Sequence, residues 1–281
     1  MTSLQVKQVK ERITISKQIM TNTITVPVTR FGPNGKQDAQ NEVACEMPLT
    51  IFLNGRELLT TLCSPKALDY LAVGVLLSEG LITRRSDLCS IKVKDECRVY
   101  VESVNDVNDK YKALKPLIAS SGGKGSSSYG SSDIEKESIS SKLRITAEQV
   151  LHLTGNFLSR SSIYKATHGV HSAALCDPNH ILLFQDDIGR HNALDKIFGE
   201  CFLKDTPLVD SIIITSGRVS SEILLKIAKR GVPILVSKAP PTAQGIMLAR
   251  DIGVTIIQAT RDDSLFVYSC SERVFQDSNH V

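Results

Sequence analysis

Three short apolar runs, Ile212-Ile213-Ile214, Ile234-Leu235-Val236 and Val254-Thr255-Ile256-Ile257, restrict what this chain can fold into more than any other feature. Strands without polar alternation need cover on both faces, which a half-solvated sheet cannot provide. Between the runs lie two stretches of helical pattern, about 220–230 and 242–252, and each is followed by a glycine, Gly231 and Gly253, where a helix can turn left-handed and stop. The pattern is β-α-β-α-β. It predicts parallel strands covered on both faces, with a ligand crevice beyond the strand carboxyl ends.

The loops expected at those ends are polar. The first is Ser216-Gly217-Arg218, the second runs from Ser237 through Lys238 to Thr242, and the third is Ala259-Thr260-Arg261-Asp262-Asp263-Ser264. Each has one cation close to its strand end. Two lead into helix N-termini, whose free N–H groups and partial positive charge favour phosphate. One such loop would be ordinary surface chemistry, but three in succession point to an anionic, phosphate-bearing ligand. Two further clusters bear on the same site. Thr167-His168-Gly169-Val170-His171 offers two imidazoles at a spacing that could suit a metal, but no cysteine or carboxylate partner stands nearby, so no metal is expected. Asp187-Ile188-Gly189-Arg190-His191-Asn192 could be a helix-start cap with an Asp187–Arg190 ion pair, but so dense a polar cluster is expected to belong to the site, with Asp187, Arg190 and His191 binding the ligand.

The preceding half of the chain reads differently. Residues from about 11 to 115 show strands with one strong helix: Asn54-Gly55 supplies a tight hairpin turn, Ser64-Pro65 reads as a helix start, and Gly80 as its stop. Alternating runs at 91–93 and 99–101 suggest a second hairpin. The run Ser120 to Ser141 is dominated by serine and glycine and cannot form a core. Order resumes at Thr146, where Thr146-Ala147-Glu148-Gln149 matches a capping box and Val150, Leu153 and Phe157 form a helical stripe. Strands follow at 172–175 and 181–184, around a turn at Asp177-Pro178-Asn179, and then a helix at 190–202. The expected organisation is an N-terminal β-rich domain (1–118), a Ser/Gly-rich loop or linker (119–144) and an α/β domain (145–281).

With 33 basic and 30 acidic residues the net charge is +3, so an anion must be held by a local site, and bulk nucleic-acid binding is not expected. No segment approaches the roughly 20 apolar residues of a membrane span, and a cytoplasmic protein is expected. The seven cysteines are odd in number and contain no C-x-x-C pair, which argues against a disulfide framework and a zinc knuckle.

Several of these stretches resemble one family. Glu46-Met-Pro-Leu-Thr-Ile51 with Asn54-Gly55, the stretch Ser64 to Gly80, Thr167 to His171, Asp187 to Lys196, Ser216-Gly217-Arg218 and Val236 to Thr242 are similar, in order, to the motifs of the FdhD-type formate dehydrogenase accessory sulfurtransferases. The resemblance spans about residues 42–268. It implies an α/β (α+β overall) fold: a small β-rich N-terminal domain with one long helix, and a cytidine-deaminase-like α/β C-terminal domain. It implies sulfur transfer from a cysteine desulfurase to the bis-molybdopterin guanine dinucleotide molybdenum cofactor destined for formate dehydrogenase. Guanine nucleotides would then serve as surrogate ligands for the crevice, while a homodimer is left open. The family's last binding segment aligns with Ala259 to Ser264, with Asp263-Ser264 where the family often has Gly-Arg.

The same resemblance places the family's persulfide cysteine at Gly122, beside Lys124, in Ser120-Ser121-Gly122-Gly123-Lys124-Gly125. A lysine there would favour a thiolate, but glycine carries no sulfur. Two roles therefore remain open: sulfur transfer using another cysteine, with Cys176 or Cys270 the candidates, or a cofactor-binding escort without sulfur chemistry. A zinc deaminase lacks its His-x-Glu and Pro-Cys-x-x-Cys here, and a P-loop lacks its first glycine and its Ser or Thr.

Overall fold

The computed structural model describes residues 21–95, 97–104, 139–260 and 262–276. The first described elements are two strands, β1 (Thr23–Gly32) and β2 (Gly35–Ala44), paired antiparallel as an exposed ribbon. A second hairpin joins β3 (Met47–Leu53) to β4 (Arg56–Cys63). Its turn is the one expected from the sequence: Asn54 and Gly55 both have positive φ, 50° and 75°, which matches the right-handed twist of the flanking strands.

Helix α1 (Leu68–Ser78) starts later than Ser64-Pro65 suggests, behind Ala67 in the left-handed region and without a side-chain cap. Ser64 is occupied elsewhere. Its N–H donates to Asp187 Oδ2 at 3.1 Å, and its Oγ accepts the Ile188 N–H at 3.1 Å. The hydroxyl that would cap the helix instead ties the two halves of the chain together. At the other end Gly80, with φ 69°, stops the helix as expected: its N–H reaches Leu77 O, and the Leu81 N–H reaches Leu76 O. Strands β5 (Leu88–Lys94) and β6 (Arg98–Ser103) pair antiparallel, and the four-stranded sheet has the order β4-β3-β6-β5.

The remaining chain runs β7 (Ile145–Thr146), α2 (Ala147–Arg160), α3 (Ser162–Thr167), β8 (His171–Cys176), β9 (Ile181–Asp187) and α4 (Arg190–Leu203). It continues through β10 (Ile212–Thr215), α5 (Ser221–Ala228), β11 (Ile234–Ser237), α6 (Ala243–Ile252), β12 (Thr255–Ala259), β13 (Leu265–Val267) and β14 (Val274–Phe275). The capping box forms, with the Gln149 N–H on Thr146 Oγ1 and the Thr146 N–H on Gln149 Oε1.

A six-stranded sheet of order β13-β12-β11-β10-β8-β9 organises this part. Strands β10, β11 and β12 are parallel, as their continuous apolar runs suggest, whereas β8, β9 and β13 join antiparallel. Successive residues sort to opposite faces. Ile213, Leu235 and Ile256 face a core shared with α4, α5 and α6, while Ile214, Val236 and Ile257 face Val150, Leu153 and Phe157 of α2. Both faces are thus covered, but α5 and α6 lie on the same one. Two right-handed crossovers stepping in one direction across a sheet put their helices on one side.

The first of these cores also contains α1 and the inner face of β3, so the two halves of the chain share apolar packing. Helices α1 and α4 meet at glycines. A Cβ at Gly74 would lie 1.8 Å from Asp195 O, and one at Gly199 would lie 1.8 Å from Tyr70 O. Around this crossing Ser78 Oγ donates to Asp195 Oδ1 at 2.6 Å, Lys226 pairs with Asp195 Oδ2 at 2.5 Å, and Arg230 reaches Leu77 O at 2.7 Å. The last of these sets a cation against the carbonyl end of α1, where the helix dipole favours it.

Candidate functional site

At the carboxyl ends of β10, β11 and β12, on the α2 face of the sheet, lies a cleft of about 780 Å³. That volume is in the usual range for small-molecule sites. Ser216, immediately after β10, forms part of its floor. The Ser216 Oγ accepts the Ser172 N–H at 3.0 Å and lies 3.2 Å from His171 Nδ1. Burial, and then the Arg190 guanidinium, hold the His171 pKa below its ordinary value, so the ring is neutral at pH 7 and Nδ1 can accept the serine proton.

Lys238, after β11, donates to Thr260 O at 3.1 Å and so joins the second loop to the third. Thr260 closes that third loop. Its N–H reaches Ser264 O at 2.9 Å, its Oγ1 accepts the Ser264 N–H at 3.2 Å, and it also bonds Asp262 Oδ1. The threonine hydroxyl holds the exposed Asp262 carboxyl below the usual carboxylate range. Asp263 takes positive φ, 57°, at the tip of this turn and faces the cleft.

The opposite wall comes from the corner between α2 and α3. Phe157, Leu158, Ser161 and Tyr164 line it, followed by His168, Gly169 and Val170. His168 ends α3 in the left-handed region, with its ring edge-on to Tyr164 at 5.0 Å. The cleft therefore offers a cation, the Asp263 carboxylate, two imidazoles and several hydroxyls above an apolar base. Such a surface can hold a flat heterocycle at one end and an anionic group at the other.

Of the residues singled out from the sequence, the cleft brings together His168, His171, Ser216, Lys238, Ala259, Thr260 and Asp263. Asp262 and Ser264 sit in the neighbouring turn. Arg218 does not line the cleft: buried Gly217 and Val219 flank it, and its side chain is exposed. Thr242 is a helix cap, accepting the Gly245 N–H at 3.1 Å, and Ser220 caps α5 in the same way. Helices α5 and α6 pack on the face away from α2, and neither Arg218 nor Thr242 lines the cleft. Arg261, Gly122 and Lys124 lie outside the described residues.

The Asp187 cluster lies behind the cleft. Asp187 is fully buried; it pairs with Lys196 at 2.7 Å rather than with Arg190, and accepts the N–H of Ser64 and of Gly189 and the amide of Asn192. The ion pair of the helix-start reading thus forms with a different cation, while the N-cap of α4 is Gly189 and has no side-chain cap. The Arg190 stem lies on Gly217, where a Cβ would come within 2.7 Å of Arg190 Cβ, and its buried Nε has no hydrogen-bond partner among the described residues. His191 sits 3.7 Å from Glu222, and burial together with Lys226, Arg190 and His171 pushes its pKa down to about 3, so it is neutral.

Neither candidate replacement for a carrier cysteine reaches the cleft. Strand β8 runs from His171 at the cleft to Cys176 at the far end, where burial pushes the thiol up to about 12. Cys270 is also at that far end, its carbonyl accepting the Thr255 hydroxyl at the start of β12. Burial likewise pushes Cys63 and Cys201 up to about 12. Among the described residues, no three His, Cys, Asp or Glu side chains are grouped to hold a metal ion, and no helix is long and apolar enough to cross a membrane.

Sequence reasoning missed Ser161, Tyr164, Ser172 and Gln258. Phe157 was legible as a buried helical position, but nothing in the periodicity shows that α2 ends against the strand ends.

A mixed α/β protein, β-rich in its first half and with a polar strand-end cleft in its second, is the class that fold and site define. The FdhD/NarQ family model matches residues 44–275, and the chain belongs to that family. It is 38% identical over 252 residues to the sulfur carrier protein FdhD of Staphylococcus aureus (strain MRSA252), covering 88% of this chain and 95% of that one. To the protein of the same name from Staphylococcus haemolyticus (strain JCSC1435) it is 41% identical over 233 residues, covering 82% and 88%. Among solved structures, a protein from Desulfotalea psychrophila described as a formate dehydrogenase accessory protein superposes with a TM-score of 0.76 at 25% identity, covering 91% of this chain and all of that one.

Proposed function

We propose that this chain serves formate dehydrogenase maturation by holding the guanine nucleotide portion of the bis-molybdopterin guanine dinucleotide molybdenum cofactor, its cargo, in the strand-end cleft. One observation carries the reading: Lys238, His171, Ser216 and Thr260 converge there above Phe157, Val170 and Ala259. Lys238 and the His171 ring suit a phosphate-bearing heterocycle, and the description of the Desulfotalea psychrophila structure supplies the client enzyme. The reading fits a cytoplasmic protein.

The expected result is that guanosine diphosphate binds and that Lys238→Ala weakens it by roughly 10–100-fold, the scale of a hydrogen bond to a charged group. Arg218→Ala should leave the affinity unchanged. Calorimetry distinguishes the variants, and the reverse pattern would place the ligand on the α5–α6 face.

The cysteines favour the escort role over sulfur transfer from a cysteine desulfurase. By the family resemblance the carrier position is Gly122, and Cys176 and Cys270 stand at the wrong end of the sheet. Incubation with a cysteine desulfurase and cysteine, followed by mass spectrometry, should show no transferable persulfide on the native chain and one on Gly122→Cys. A persulfide on a native cysteine that sulfurates the cofactor would return the chain to the sulfurtransferases.

A further inference from the structure

Segment 161–172 joins the end of α2 to β8, carrying Tyr164, His168, Gly169, Val170 and His171 along the cleft. The segment leans on β2, whose Ala44 lies beside Gly169. Its helix, α3, has six residues and buries none of them, and a helix that short is not stable by itself. Both ends of the segment are instead tied to one carboxylate. Ser161 Oγ donates to Asp186 Oδ2 at 2.8 Å, and Ser172 Oγ donates to Asp186 Oδ1 at 2.5 Å. Ser172 stands directly opposite Asp186 in the β8–β9 register, while Ser161 lies at the end of α2 and accepts the Tyr164 N–H at 2.9 Å.

We propose that Asp186 is a positioning residue, a clamp that closes segment 161–172 and thereby sets the wall against which the cleft's ligand is held. The ligand side of this inference rests on the nucleotide reading above. The clamp itself does not. An ionised carboxylate accepts on both oxygens at once and is suited to hold two hydroxyls. Burial raises the Asp186 pKa; the hydroxyls of Ser172 and Ser161 and the Lys196 ammonium of α4 act the other way, and the neighbouring Asp187 adds to the rise. As pH falls, one tie should therefore weaken at a higher pH than an ordinary carboxylate would allow.

The test is hydrogen exchange across the full chain together with calorimetry of guanosine diphosphate, for wild type, Asp186→Ala and Asp186→Asn. Asp186→Ala should speed amide exchange within 161–172 by roughly tenfold or more, leave β10–β12 unchanged and weaken the nucleotide by a similar factor. Asp186→Asn can still accept one hydroxyl and donate to the other oxygen, so it should rescue most of both effects. Acidification should reproduce the faster exchange, relative to intrinsic rates, in wild type but not in Asp186→Asn. Should Asp186→Ala fail to fold, Ser161→Ala and Ser172→Ala each remove one tie and should show the same localised change. Unchanged exchange in 161–172 would overturn the clamp, and faster exchange with unchanged affinity would overturn its role at the wall. Absence of nucleotide binding in wild type would defeat the nucleotide reading alone, and the exchange data would still decide the clamp.

Discussion

Gly74→Ala should lower the melting temperature by roughly 6–12 °C, corresponding to a loss of about 3 kcal/mol for a chain of this size. The added methyl would lie 1.8 Å from Asp195 O and 2.4 Å from Asp195 C, so backbone has to move. No rotamer can relieve that contact. Helices α1 and α4 would have to separate by more than an ångström, opening the core that both halves of the chain share. Alanine improves intrinsic helix propensity by about 1 kcal/mol, and the prediction is that the clash outweighs it. Gly199→Ala meets Tyr70 O at the same 1.8 Å and should behave alike. A melting temperature unchanged to within about 2 °C for both variants would show that the crossing is looser than described.

Lys196→Met should destabilise by about 3–5 kcal/mol, because it strips the cation from a fully buried carboxylate. Lys196 Nζ lies 2.7 Å from Asp187 Oδ2 and also reaches Asp186 O at 3.2 Å. Asp187 in turn receives the Ser64 N–H from the other half of the chain. Loss of the lysine thus leaves a charge uncompensated at the junction between the halves. Urea unfolding measures the effect. A change below about 1 kcal/mol would mean that water reaches Asp187 and that the pair is not buried as described.

Where the controlling interactions are local, the sequence is a sufficient guide. Asn54-Gly55, the Thr146–Gln149 capping box, the stop at Gly80 and the three parallel strands all follow from residue types within a few positions of one another. Where the partner is distant, it is not. Ser64 resembles a helix cap, but its partners are Asp187 and Ile188, far along the chain. Arg190 could not be seen to lie along Gly217, nor Asp187 to choose Lys196.

The site was half legible for the same reason. Ser216, Lys238 and Thr260 follow strand ends and were marked by that position alone. Arg218 was marked by the same rule and falls outside, because the alternation about Gly217 turns it to solvent. The α2–α3 wall was invisible, since the stripe Val150, Leu153 and Phe157 shows that α2 is buried but not which sheet face it covers.

A crystal structure with guanosine diphosphate should show the nucleotide on the α2 face of the sheet, its phosphates within hydrogen-bond distance of Lys238 Nζ and its base against the Tyr164–His168 wall. A nucleotide seated instead beside Arg218, at the starts of α5 and α6, would contradict that placement.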